Sequence, residues 1–171
     1  RNAGISGINF EFDNLDIVVD RVSITDAGSV GIFVHNDTAG PISIRHTEIA
    51  GAGVTGIYIG NANEDITIAN VSIADVDESG IYIGEDNTVD IVGTSIANTG
   101  EHGIELGAGN TVVIADSRLS DIGQSAIFNY GDSSLGIADN TFSGSIGRDI
   151  FTFDFGTATI EAGSTGNIND V

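Results

Sequence analysis

Lysine is absent from this sequence, and its only basic residues are five arginines (Arg1, Arg21, Arg45, Arg118 and Arg148) set against 25 carboxylates. A formal charge of −20 repels phosphate backbones and anionic lipid headgroups alike. Nucleic acid and passive membrane binding are therefore excluded as expectations. Cysteine is also absent, which removes disulfides and thiol chemistry but says little about compartment. No apolar run approaches the 18 residues of a membrane-spanning helix, and the chain does not open on a charged-then-apolar signal segment. The opening Arg1-Asn2-Ala3-Gly4 reads as mid-protein sequence, so one domain over 1–171, excised from a longer protein, is expected. Such acidity suits a protein working in salt- or calcium-containing fluid, and the expected location is secreted or cell-surface, in a bacterium or archaeon, in a saline setting.

What the sequence does contain is a repeat. Gly-Ile pairs recur at Gly7-Ile8, Gly31-Ile32, Gly56-Ile57, Gly80-Ile81 and Gly103-Ile104, continuing as Ala126-Ile127 and Asp149-Ile150. Successive offsets are 24, 25, 24, 23, 23 and 23 residues. A second apolar pair follows in each unit (Ile17/Val19, Ile42/Ile44, Ile66/Ile68, Val89/Ile91, Val112/Ile114, Leu135/Ile137). Five residues later comes a third apolar position: Ile24, Ile49, Ile73, Ile96, Leu119, Phe142. The next glycine slot is always seven residues on, so length varies only at the corner after the Gly-Ile strand.

Three short strands of period two per unit cannot bury themselves, but stacked units can bury one another. The expected fold is all-β: a single-stranded right-handed parallel β-helix of about seven coils, 23–25 residues each. A leucine-rich horseshoe would need Leu-x-x-Leu-x-Leu, which is missing, and a propeller blade needs longer repeats with hairpins. Two residues after the third apolar position runs a turn row of Asp26, Gly51, Asp75, Asn98, Asp121 and Gly144. It is read as a ladder of short polar side chains bonding turn backbone, because single carboxylates one coil apart supply too few oxygens for calcium.

The units Ser79-Gly80-Ile81-Tyr82-Ile83-Gly84 and His102-Gly103-Ile104-Glu105-Leu106-Gly107 resemble coils of the pectin-lyase-like superfamily, with polygalacturonases the nearest enzymes. The resemblance covers nearly the whole chain and implies the β-helix fold. It places His102, in Glu101-His102-Gly103-Ile104, on the histidine coil of those hydrolases, which makes it the one candidate catalytic residue. Thr55 and Ser79 stand where the family carries its acid and base Asp, and Ser125-Ala126-Ile127-Phe128 lacks the Arg-Ile-Lys that should follow. Glu78 and Glu101 lie one coil apart, as ladder neighbours rather than as the two carboxylates of a glycosidase. Elimination of the lyase type would need an Arg base, and Arg45, Arg118 and Arg148 fall at different offsets. His35, His46 and His102 do too, which argues against a shared metal. His102 therefore reads as a solvated strand-edge histidine ahead of a catalytic one.

The residue after each Gly-Ile isoleucine points outward by alternation. That row is Asn9, Phe33, Tyr58, Tyr82, Glu105, Phe128, Phe151, and its five aromatics are the candidate ligand-binding residues. The outward row of the second strand (Val18, Ser43, Thr67, Asp90, Val113, Gly136, Thr159) reads as an ordinary solvated face. The variable corner gathers acids and Asn; Glu85 and Asp86 are the calcium candidates there, and no cofactor is required. No amphipathic helix is legible at either end to cover the open edges, and 161–171 is expected to be a loose polar tail. The expected function is a non-catalytic β-helical stalk of a secreted or surface protein, adhesive or binding carbohydrate or protein. Partners are a polysaccharide or a surface protein, with self-association through the aromatic row or the open ends. The alternative is a polysaccharide-active lyase, hydrolase or epimerase.

Overall fold

In the computed structural model, residues 5–12, 14–38, 40–152 and 157–160 are described. The tail 161–171 and Arg1 lie outside them. The described chain winds into three parallel sheets of seven, seven and six strands. The first runs from Ile8–Phe10 to Ile150–Thr152, the second from Ile17–Asp20 to Thr157–Ile160, and the third from Ser23–Thr25 to Thr141–Ser143. Six coils thus hold three strands each, and a seventh contributes to two sheets. No strand exceeds five residues, and each pairs only with its equivalents one coil below and above.

Register follows the repeat without slippage. Ile81 pairs with Ile57 and Ile104, Ile91 with Ile68 and Ile114, and Ile96 with Ile73 and Leu119. A one-residue slip would turn every isoleucine outward, so the buried columns themselves fix the pairing. Ile32, Ile57, Ile81, Ile104 and Ile127 are fully buried. Ile8 of the first coil is only half-buried. Burial of each such side chain contributes about 1.5–3 kcal/mol, and β-branching fits it to the pleated interior.

The glycine before each isoleucine has a steric cause. A Cβ on Gly56 would lie 2.5 Å from the Gly80 carbonyl oxygen and 2.6 Å from Ile73 Cγ2. The chain turns there against the third apolar column, with no room for a methyl. Ala126 takes this slot in the coil whose third column holds Phe142.

Two left-handed columns shape the corners around the third sheet. One is the expected turn row, with φ of +52° at Asp26, +55° at Asp75, +54° at Asn98, +55° at Asp121 and +73° at Gly51 and Gly144. The other was not read from the sequence: Arg21, His46, Asn70, Gly93, Asp116 and Asp139, with φ between +48° and +60°. Asn, Asp and Gly tolerate this region best, which accounts for most of both columns.

The side-chain-to-backbone ladder lies elsewhere than expected. In the turn row the contact is between side chains, Asn98 Nδ2 donating to Asp75 Oδ1 at 3.2 Å. The bonds to backbone form at the variable corner. There the Thr38 amide donates to Asn63 Oδ1, Asn63 to Asn87 Oδ1, Asn87 to Asn110 Oδ1, and Asn110 to Ser133 Oγ, at 2.8–3.0 Å. Asn63, Asn87 and Asn110 are buried. Their Nδ2 groups donate to carbonyls, including those of His35, Glu85 and Gly84. A second inward ladder runs through Thr94, Ser117 and Asn140.

Candidate binding face

The outward row of the first sheet is set by strand register. Phe33 pairs with Tyr58, Tyr58 with Tyr82, Tyr82 with Glu105, Glu105 with Phe128, and Phe128 with Phe151. Parallel in-register strands hold equivalent side chains about 4.8 Å apart, the separation at which rings stack. Phe33 and Tyr58 stack with centroids 4.6 Å apart and planes 7° from parallel. Tyr58 and Tyr82 follow at 4.8 Å and 14°, and Phe128 and Phe151 at 5.4 Å and 1°. The structure thus forms the stripe and leaves each ring half-buried against its neighbours.

This changes what the stripe offers. Tyr58 has a ring on each face, and Phe128 lies between His102 and Phe151. A monomer therefore gains from these rings by stacking them. Burial raises the phenol pKa of Tyr58, with Tyr82 adding to the rise. Burial raises that of Tyr82 as well, helped by the hydrogen bond shared with Tyr130 and by the Glu105 and Glu85 carboxylates.

The stripe is longer than the five aromatics read from the row. Phe12 packs on His35, and His35 on Phe33, each at 4.6 Å. Tyr130 reaches back two coils so that its hydroxyl and that of Tyr82 share a 3.0 Å hydrogen bond. It crosses Gly107, where a Cβ would sit 3.3 Å from the Tyr130 hydroxyl. These residues stand at the variable corner just past the strand, where a period-two reading had no signal for them.

His102 is not a solvated strand-edge residue. Its side chain is buried, with 7% exposure, and its ring stacks on Phe128 at 4.3 Å and 6°. Nδ1 accepts the Ser125 amide at 3.3 Å. Burial lowers its pKa, against the opposing pull of Glu105 and Glu101, so the ring is neutral near neutral pH. His102 borders a shallow groove with Gln124, Ser125, Phe128, Ile146, Arg148 and Phe151. Arg148 lies over the Phe151 ring, 4.9 Å from its centroid.

The other candidate groups do not converge on this groove. Ser79, in the slot of a family carboxylate, is buried and donates to Glu105 Oε2 at 2.7 Å; Thr55 is buried in the coil below. Glu78 and Glu101 are adjacent-coil neighbours, the Glu101 amide donating to the Glu78 carbonyl at 3.0 Å. His46 pairs instead with Asp20, whose carboxyl pKa is lowered mainly by that hydrogen bond. Arg45 and Arg118 fall on the second and third sheets. Glu85 and Asp86 are exposed at the variable corner beside buried Asn87. Among the described residues, no three His, Cys, Asp or Glu side chains are grouped so as to hold a metal ion.

No curated protein matches the chain. The family model described as "Right handed beta helix region" matches residues 6–166. With its parallel coils in register throughout, the chain belongs to the right-handed β-helix family.

Proposed function

We propose that this chain is a non-catalytic β-helical stalk of a secreted or surface protein, and that the aromatic face of its first sheet is a protein-contact surface. The observation that carries this reading is the stacked run Phe33–Tyr58–Tyr82. Sugar rings bind aromatics face to face, and here the inner faces are already covered by neighbouring rings. Ring edges and tyrosine hydroxyls suit a protein surface better, and half-buried aromatics are enriched in such contacts. Self-association through this face is one form of the same reading.

The test is Tyr58→Ala with Tyr82→Ala, followed by sedimentation, capture of a cognate surface protein and a glycan-binding screen. Lost association with unchanged glycan binding supports the proposal. Unchanged association sinks it, and glycan binding that vanishes in the double variant transfers the face to a polysaccharide. The alternative enzyme reading draws on the groove beside His102, the position its family resemblance marks. Release of reducing or unsaturated sugars from polyuronates, abolished by His102→Ala, would establish it.

A further inference from the structure

The aromatic row has one polar interruption. Glu105 occupies the ring position of the fifth coil, in register with Tyr82 below and Phe128 above. Its carboxylate is half-buried and accepts one hydrogen bond, from Ser79, at Oε2. Oε1 has no hydrogen-bond partner among the described residues. His102, in the same coil, covers the face of Phe128. Tyr82 has Tyr58 on one face and, among the described residues, no ring on the other. Its hydroxyl is held by Tyr130, which fixes the ring beside the carboxylate.

A tyrosine face without a second ring, next to a carboxylate with a spare acceptor, suits a planar cation that lies against the ring and pairs with the oxygen. We propose that Tyr82, Glu105 and Tyr130 form a receptor for an arginine side chain of a partner protein. A guanidinium entering beside Glu105, within the fifth coil's layer, would lie against the Tyr82 ring while donating to Glu105 Oε1. The molecule already makes half of this contact internally, where Arg148 lies on Phe151. Charge favours an external donor, because the sequence from Arg45 to Arg118 contains no intervening Arg or Lys while acids recur throughout it. This inference rests on the reading of the aromatic face as a protein contact and names the group that contact recognises.

The probe is N-acetyl-arginine amide, titrated into the intact chain in about 0.3 M salt, where the Debye length is shorter than about 8 Å, and followed by amide chemical shifts. The citrulline amide serves as the uncharged isostere. Binding should localise to Tyr82, Glu105 and Tyr130, fall at least fivefold in Glu105→Gln and Tyr82→Leu, and stay unchanged in Asp90→Asn on the second sheet. Citrulline should shift nothing. Equal losses in Glu105→Gln and Asp90→Asn, or shifts spread over the acidic surface, would overturn the site and leave only general attraction of cations. Melting curves of each variant show whether folding is intact; should Tyr82→Leu fail to fold, Glu105→Gln decides alone. If arginine does not bind while Tyr58→Ala with Tyr82→Ala still abolishes protein association, the receptor fails and the contact face stands.

Discussion

At the scale of single residues, the buried amides carry more than their number suggests. Asn110 accepts the Asn87 amide at Oδ1 and donates through Nδ2 to the Gly84 and Gly107 carbonyls. Asn110→Ala leaves those groups buried and unsatisfied, at about 1–3 kcal/mol each before relaxation. We expect a loss of about 3 kcal/mol or more in chemical denaturation, with Asn110→Asp nearly as costly because it removes both donors. His102 gives a pH signature with a definite sign. Its native pKa is lowered, so below the unfolded value near 6.5 the unfolded chain binds a proton the native ring refuses. Stability should therefore fall as pH drops from about 6.5 toward the lowered native pKa, and level off below it as far as this residue is concerned. His102→Phe, which keeps a ring on Phe128, should flatten that part of the profile; an unchanged slope would show that other groups set it.

At the scale of strands and corners, the sequence was informative where the geometry is periodic. The apolar columns and the outward direction of the aromatic row recur at near-constant spacing and stand as read, and the row at Asp26 is the expected turn although the bonds from side chain to backbone lie elsewhere. The second left-handed column carried the same signal, since Asn70, Gly93, Asp116 and Asp139 recur at 23 residues. The buried Asn ladder was missed because polarity alone does not separate inward from outward residues, whereas Asn63, Asn87 and Asn110 lie between exposed neighbours and face inward. Burial of His102 was illegible because alternation says nothing about the turn residue before a strand. Glycine tests this scale directly. Gly56→Ala should destabilise by about 1–3 kcal/mol, since backbone or Ile73 must move to admit the methyl. Gly136→Ala, whose Cβ meets nothing nearer than Val113 at 3.7 Å, should stabilise by about 0.4–1 kcal/mol. Urea melts of the two variants should move in opposite directions.

At the scale of the whole molecule, 25 acids face only 5 arginines, and acids such as Asp116 and Asp139 stand one coil apart in the same column. Like charges at that spacing repel, and salt that shortens the Debye length from about 10 Å at 0.1 M to 3 Å at 1 M should relieve them. The melting temperature should therefore rise with sodium chloride, by about 2–4 °C for each kcal/mol of repulsion removed. A melting temperature flat across that range would mean the acids are already compensated.

Pairing confined to adjacent coils also determines how the molecule yields under load. Because each described strand is hydrogen-bonded only to its equivalents below and above, pulling on the two ends of the coil stack loads one terminal coil at a time. Each peeled coil frees 23–25 residues of contour, about 80 Å at the extended length per residue. Such a chain would behave as a ratcheted extensible tether, lengthening in equal steps and rewinding from whichever coils still hold, rather than snapping open in one event.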